Sequence, residues 1–404
     1  MATANYLWPV LLMAAFSMMS YFDRTILSVA SPRIIQEFHL SETQMGWIYF
    51  AFQASYTLLM THGGMWADRF GPRRVLTVST LGAGALTAVF PLAALGALPG
   101  LLLVRFGFGA LTAPLYPSTG SLNAAWVPVD RRGQAQGAIN AGAGMGGAVS
   151  PLLFTWLMAM AGWRLSFVAA GVATIVLALV WHFTTRHLAE PSQKRFGGDA
   201  AQGPQWRKLL ESRNLLLLTL GYFGIDYFEY IFFYWLYYYL SEVRHLPSAQ
   251  TAVYTSFPFI AWVVMMPLGG YLCDLAGQRI GAQRAVRLVG IAGIAVSVVL
   301  LIAALQSADI LTTVLLLSIA FGSCAISDVV SWSAVISIAG KDAGTYCGIM
   351  NTGGNLGGMI APVLTPWIAS QFGWSAGLYF GGAVVSIALI TWLLFGEEAA
   401  PRTP

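Results

Sequence analysis

GAINAGAGMGGAVSP, residues 137–151, and GIMNTGGNLGGMIAP, residues 348–362, are nearly the same stretch written twice, 211 positions apart. The ungapped match keeps Asn140/Asn351, Gly142/Gly353, Gly146/Gly357, Gly147/Gly358 and the closing prolines Pro151 and Pro362. Trp163 and Trp374 share the same spacing of 211. A second pair, GGMWAD at 63–68 and GGYLCD at 269–274, repeats at 206. The chain is therefore a duplicated unit of about 200 residues, and glycines at such spacing are read as places where helices approach closely.

Composition names the solvent of these halves. The 404 residues are 57% hydrophobic and 9% charged, and the mean hydropathy is +0.67. That is roughly a third of the charge of a soluble domain. Apolar runs of about 20 residues, enough to cross a hydrocarbon core, fall near 7–30, 44–66, 75–95, 98–119, 135–158, 164–186, 214–240, 251–273, 285–305, 310–337, 344–369 and 374–395. Lipid forbids open strands, so the expected fold is all-α, with twelve transmembrane helices. The expected domains are an N-terminal six-helix bundle over 1–186, a polar cytoplasmic linker over 187–213 and a C-terminal bundle over 214–404.

Of the 21 Lys and Arg residues, sixteen fall at one set of helix ends, among them Arg69, Arg73, Arg74, Arg131 and Arg132. Only Arg33, Arg164 and Arg244 fall at the other, while Arg24 and Arg105 lie inside helices. The positive-inside rule then puts both termini in the cytoplasm. The net charge of +4 reflects this topology and gives no reason to invoke nucleic acid. The first apolar run reads as a full-length span rather than a cleaved leader. Cys273, Cys324 and Cys347 have no metal spacing and read as free thiols. No HExxH, GxSxG or phosphate-binding loop occurs, so an enzyme is not expected, and no cofactor beyond a coupling proton.

GMWADRFGPRR, residues 64–74, resembles the G-x-x-x-D-R-x-G-x-R-R signature loop of the major facilitator superfamily at every fixed position. Gly64 is expected to allow close helix approach, Asp68 to cap or pair with a neighbouring helix end, and Arg69, Arg73 and Arg74 to hold the cytoplasmic face. Asp274 closes the degenerate second copy. The resemblance implies two six-helix bundles, pseudo-twofold about the membrane normal, rocking around a central site. Tyr21, Asp23 and Arg24, Arg105, the P-x-x-P-S at 114–118, WVPVDRRGQAQG at 126–137 and NTGGNLGG at 351–358 further resemble the anion:cation symporter branch, which includes hexuronate, galactonate and sialin-like carriers. That resemblance implies substrate contacts at Tyr21, Tyr56, Arg105, Trp332 and Asn351. It also marks a departure: Thr112 stands where the branch usually has a glutamate, and Ala143 where sugar-acid carriers often have glutamine.

Buried charge supplies the remaining candidates. Arg105 is expected to anchor a substrate carboxylate, the alternative being a permanent interhelical salt bridge. Asp23 is expected to carry a coupling proton, with Arg24 as a structural partner. Asp226 and Glu229, three apart, share a helix face, and two carboxylates so close in low dielectric should hold a proton between them. Asp328 is a further acid, with coupling and a polar interhelical link both open. The aromatic run from Tyr222 to Tyr239 reads either as packing and interfacial belt or as a lining for an aromatic or cationic group. The expected function is proton-coupled symport of a small organic anion by a monomer in a bacterial inner membrane. The alternative is proton-coupled movement or exchange of a zwitterionic or cationic solute, because the four acids exceed the two buried arginines.

Overall fold

The computed structural model describes residues 6–128, 131–188, 212–339 and 343–396. Its elements are α1 (Leu7–Phe38), α2 (Glu42–Phe70), α3 (Pro72–Ala93), α4 (Ala97–Thr112), α5 (Leu115–Trp126), α6 (Arg132–Thr185), α7 (Arg213–Tyr238), α8 (Ser248–Ile280), α9 (Ala282–Gln306), α10 (Ile310–Ala339), α11 (Ala343–Phe372) and α12 (Trp374–Leu394). No strand occurs among the described residues. Among the described residues, nine stretches are long and apolar enough to cross a membrane. The helix α6 runs for 54 residues, about 80 Å at helical rise, more than twice a hydrocarbon core. It is bent at Gly162 (φ 75°, ψ 164°) and makes two crossings. Conversely α4 and α5 are one crossing, stepped where Pro114 caps the second piece. With these adjustments the described helices amount to twelve rods, the number the apolar runs predict.

By internal packing the chain divides into two compact units, Met1–Asp199 with Tyr234–Ser256 and Ala200–Phe233 with Phe257–Pro404. The end of α7 and the start of α8 thus group with the first half. Within that unit Tyr234 stacks on Tyr49 at 4.5 Å between ring centroids. The expected linker lies, over 189–211, outside the described residues.

The glycines of the repeat sit where two helices meet in each unit. In the first, a Cβ on Gly142 of α6 would lie 2.2 Å from the Ala14 carbonyl oxygen of α1, and one on Gly146 would lie 2.1 Å from that of Met18 and 3.1 Å from the Phe22 nitrogen. In the second, a Cβ on Gly353 of α11 would lie 2.7 Å from the Thr219 carbonyl oxygen of α7, and one on Gly357 2.1 Å from that of Phe223 and 3.1 Å from the Tyr227 nitrogen. Thr219, Phe223 and Tyr227 each stand 205 positions after Ala14, Met18 and Phe22. The crossings are one contact made twice. Gly373 (φ 86°, ψ 158°) likewise repeats Gly162, each bending the chain ahead of a buried tryptophan, Trp163 or Trp374. Such angles belong to glycine.

The contact has a direct test. Gly146→Ala and Gly357→Ala should each cost about 1–3 kcal/mol through overpacking and lower the melting temperature of the purified protein. Gly137→Ala, with nothing within 4 Å of the added methyl, should not. Equal melting temperatures for the Gly146 and Gly137 variants would contradict the crossing.

Candidate functional site

The buried charges form two clusters, one in each unit. In the first, α1 carries Asp23 and Arg24, α4 carries Arg105 and α2 carries Phe52 and Tyr56. All of these are buried. The Arg24 guanidinium carbon lies 4.4 Å from the centre of the Tyr56 ring, 4.9 Å from Tyr21 and 5.0 Å from Phe52. That of Arg105 lies 4.9 Å from Phe52 and 5.1 Å from Phe108. Phe52 therefore serves both cations. Arg105 is only 3% exposed, and its Nε and Nη2 have no hydrogen-bond partner among the described residues. Ring contacts of this kind are worth about 0.5–2 kcal/mol, whereas unmet buried donors on a charged group cost more. The guanidinium fork thus keeps two donors, Nε and Nη2, free of any acceptor among the described residues.

Asp23 lies within electrostatic reach of Arg105. Its Oδ2 accepts a hydrogen bond from the Thr174 hydroxyl at 3.0 Å, while its Oδ1 is buried without a partner among the described residues. It borders a cavity of about 20 Å³ shared with Ser20, Thr80, Thr112 and Thr174, enough for one water. Thr112, the residue that departs from the branch pattern, thus sits beside Asp23. Its own hydroxyl bonds back to the Phe108 carbonyl at 2.9 Å. The larger cavity of the unit, about 840 Å³ and bordered by Arg33, Thr155, Trp163 and Tyr237, involves neither buried arginine.

In the second unit Tyr222, Asp226 and Glu229 occupy one face of α7, and α10 presents Cys324, Asp328 and Trp332. Tyr222 donates to Asp328 Oδ1 at 2.6 Å, and Trp332 Nε1 donates to the Tyr222 hydroxyl at 2.9 Å. Asp226, Glu229 and Asp328 lie within electrostatic reach of one another. Asp226 Oδ2 packs against Gly354 of α11, where a Cβ would come within 2.4 Å of it. Glu229 is 5% exposed, and its Oε1 has no partner among the described residues.

The predicted substrate residues are thus divided. Tyr21, Tyr56 and Arg105 share the first cluster and Trp332 joins the second, while Asn351 lies on α11 and accepts, through its carbonyl, a bond from Asn355 at 2.8 Å. Sequence reasoning missed Phe52, the ring common to both arginines, because it differs in nothing from its apolar neighbours. It also missed Thr174 and the role of Tyr222. The aromatic run of α7 packs inside the units: Phe232 lies 4.7 Å from Phe321 and Phe233 5.0 Å from Phe259.

The profile of the Major Facilitator Superfamily matches residues 13–327 and 275–404. The chain belongs to that superfamily. It is a membrane transporter, not an enzyme. It is similar to a probable sulfoacetate transporter of Cupriavidus necator, 32% identical over 95% of this chain and 92% of the relative. A D-galactonate transporter of Escherichia coli is 28% identical over 93% and 91%, and a hexuronate transporter of Bacillus subtilis 25% over 96% of each. These relatives agree with the resemblance to the anion:cation symporter branch. The fold matches a solved bacterial homologue of the lysosomal transporter Spinster, with a TM-score of 0.83, 19% identity and coverage of 98% and 97%. It also matches a D-xylose-proton symporter, with a TM-score of 0.79, 15% identity and coverage of 99% and 100%.

The major facilitator signature loop corrects two expectations. The close approach falls on Gly63, where a Cβ would lie 2.7 Å from Pro114 Cα, and not on Gly64, whose nearest neighbour would be 3.6 Å away. The second copy agrees, with Gly269 close to Ile326 at 3.0 Å and Gly270 open. Asp68 and Asp274 are exposed, and Asp68 makes no hydrogen bond or ion pair to a described residue. The turn itself is Gly71 (φ 91°) followed by Pro72 at the start of α3. Arg73 Nη1 donates to the Thr185 carbonyl at 3.2 Å, tying α3 to the end of α6. Arg69 lies over Phe70 at 5.3 Å, and Arg74 adds its charge to the same turn.

Tyr222→Phe should strip Asp328 of a donor and destabilise the protein by about 1.5–3 kcal/mol, the range for a hydrogen bond to a charged group. Trp332→Phe should cost less, since its indole N–H, placed 2.9 Å from the Tyr222 hydroxyl, is shared between that hydroxyl and the Asp328 carboxylate. Thermal unfolding of the two variants, ranked in that order, checks the chain of bonds.

Proposed function

We propose that this transporter carries a small organic anion together with protons by alternating access, the bundles over 1–186 and 214–404 rocking about the linker. It works as a monomer in a bacterial inner membrane with both termini in the cytoplasm. The observation that carries the reading is Arg105: a buried guanidinium with two unpartnered donors, stacked between Phe52 and Phe108. A carboxylate or similar oxyanion supplies the missing acceptors, with bidentate geometry available only to arginine. Asp23 supplies the coupling proton. When protonated it leaves Arg105 unneutralised and open to the substrate; when ionised it competes for the same cation. The substrates named for the similar sulfoacetate, galactonate and hexuronate carriers are all organic acids, which supports the substrate class. Thr112 and Ala143, in place of the acid and amide expected of sugar-acid carriers, argue against copying a sugar-acid specificity.

Arg105→Lys should weaken carboxylate binding roughly 10- to 100-fold, the equivalent of about 1.5–3 kcal/mol for a lost charge-assisted bond, with little change in melting temperature. A carboxylate and amine library screened by thermal shift supplies the ligand. Wild-type affinity in this variant, or stabilisation by amines alone, would sink the reading.

Asp23→Asn should abolish accumulation driven by a pH gradient in proteoliposomes while sparing substrate exchange. Undiminished uphill uptake would remove Asp23 from the coupling role.

A further inference from the structure

The duplicated contacts align the two buried clusters residue by residue. On the spacing of 205 that relates α1 to α7, Ser17 corresponds to Tyr222, Tyr21 to Asp226 and Arg24 to Glu229. Ser17 and Tyr116 share a hydrogen bond of 2.9 Å; the Tyr222–Asp328 bond of 2.6 Å joins the same helices of the second unit. Ring and cation in the first half, Tyr21 and Arg24, are therefore replaced by two carboxylates in the second, and the Tyr116 hydroxyl has its counterpart in a third carboxylate.

Among the described residues no basic side chain acts on those carboxylates; Arg279 of α8 and Arg284 of α9 are exposed and Arg287 of α9 is half-buried, its guanidinium donating to the Leu393 carbonyl. The helices α10, α11 and α12 contain no Lys or Arg, and α7 has only Arg213 at its first position. The titratable groups facing the cluster are Tyr222 from α7 and Cys324 from α10, and α11 meets it with Gly354. Asp328 is the acid best placed to hold the negative charge, because Tyr222, itself held by Trp332, donates to it. Asp226 and Glu229 have no such donor, and the Glu229 Oε1, on a residue 95% buried by its 5% exposure, is unpartnered. Three carboxylates this close in low dielectric do not all stay charged.

We propose that Asp226 and Glu229, set against the fixed carboxylate of Asp328, form a second proton-binding site in the half of the duplicated fold that lacks buried arginine. It rests on the proton-coupled reading above and adds a site remote in sequence from Asp23. The proton sits on the Asp226–Glu229 pair and is exchanged during the cycle, while Asp328 remains its counter-charge.

The test needs no substrate. Infrared difference spectra of the purified full-length protein in lipid nanodiscs, taken between neutral and alkaline pH in choline chloride, report the carbonyl stretch of protonated carboxyls. Wild type and Asp23→Asn should both lose such a band on alkalinisation. Glu229→Gln and Asp226→Asn should each lack part of it, and Glu229→Asp should restore it. The two neutral variants are independent, so if one fails to fold the other carries the comparison. A band that disappears in Asp23→Asn alone, or is unchanged in every helix α7 variant, overturns the site. A wild-type band removed by replacing choline with sodium shows a sodium site instead and overturns it too. Loss of symport in Asp23→Asn with the α7 band intact separates this proposal from the preceding one.

Discussion

The contact on which the structure depends is the crossing of α6 on α1 and of α11 on α7, made at glycines where a single methyl would fall about 2.1 Å from a facing carbonyl oxygen. In lipid no hydrophobic force drives helices together, so close backbone approach is what association rests on. Each crossing fixes the rotation of the helix that carries the buried charges. Asp23 and Arg24 lie just beyond Phe22, the last α1 residue in the Gly146 contact; Glu229 lies two positions beyond Tyr227, the corresponding residue of α7. A helix rotated by one residue, about 100°, would carry these side chains elsewhere. The glycine repeat is thus a positioning device as well as a packing motif.

Given that positioning, buried charge sorts by unit. In the first unit Arg105 lies against Phe52 and Phe108 with two donors unmet among the described residues; in the second, Asp226, Glu229 and Asp328 lie within electrostatic reach of one another. Among the described residues neither Arg105 nor the Asp226–Glu229 pair is closed in a salt bridge, which would satisfy itself. Asp23 stands between the two cases, an acid beside arginine with one oxygen bound by Thr174, the other buried without a partner among the described residues, and a water-sized cavity at its side.

Much of the fold was legible in the sequence, because the signals there are physical necessities: apolar length and glycine at repeated spacing. The break at Gly162 was legible only as a gap between two runs, yet it falls where the backbone leaves the region open to other residues. Less of the site could be read. Charged residues in a membrane announce themselves, so Asp23, Arg105, Asp226, Glu229 and Asp328 all emerged. Phe52 and Thr174 did not, since a ring or hydroxyl in an apolar helix has no signature until its neighbour is known. Gly63 was passed over for Gly64 because adjacent glycines look alike in sequence and differ by a third of a turn in space.

The duplication also explains why the two halves cannot be read by analogy with each other. Backbone contacts constrain both copies equally, and there the match extends to the same atoms: carbonyl oxygens and a peptide nitrogen. Side chains pointing away from the crossing carry no such constraint. At those positions a hydroxyl pair, Ser17 and Tyr116, stands against Tyr222 and Asp328, and Arg24 stands against Glu229. Geometry was retained while charge was inverted. A two-fold scaffold can therefore keep its helices in register while its two halves carry buried charge of opposite sign, Arg24 and Arg105 in one and Asp226, Glu229 and Asp328 in the other.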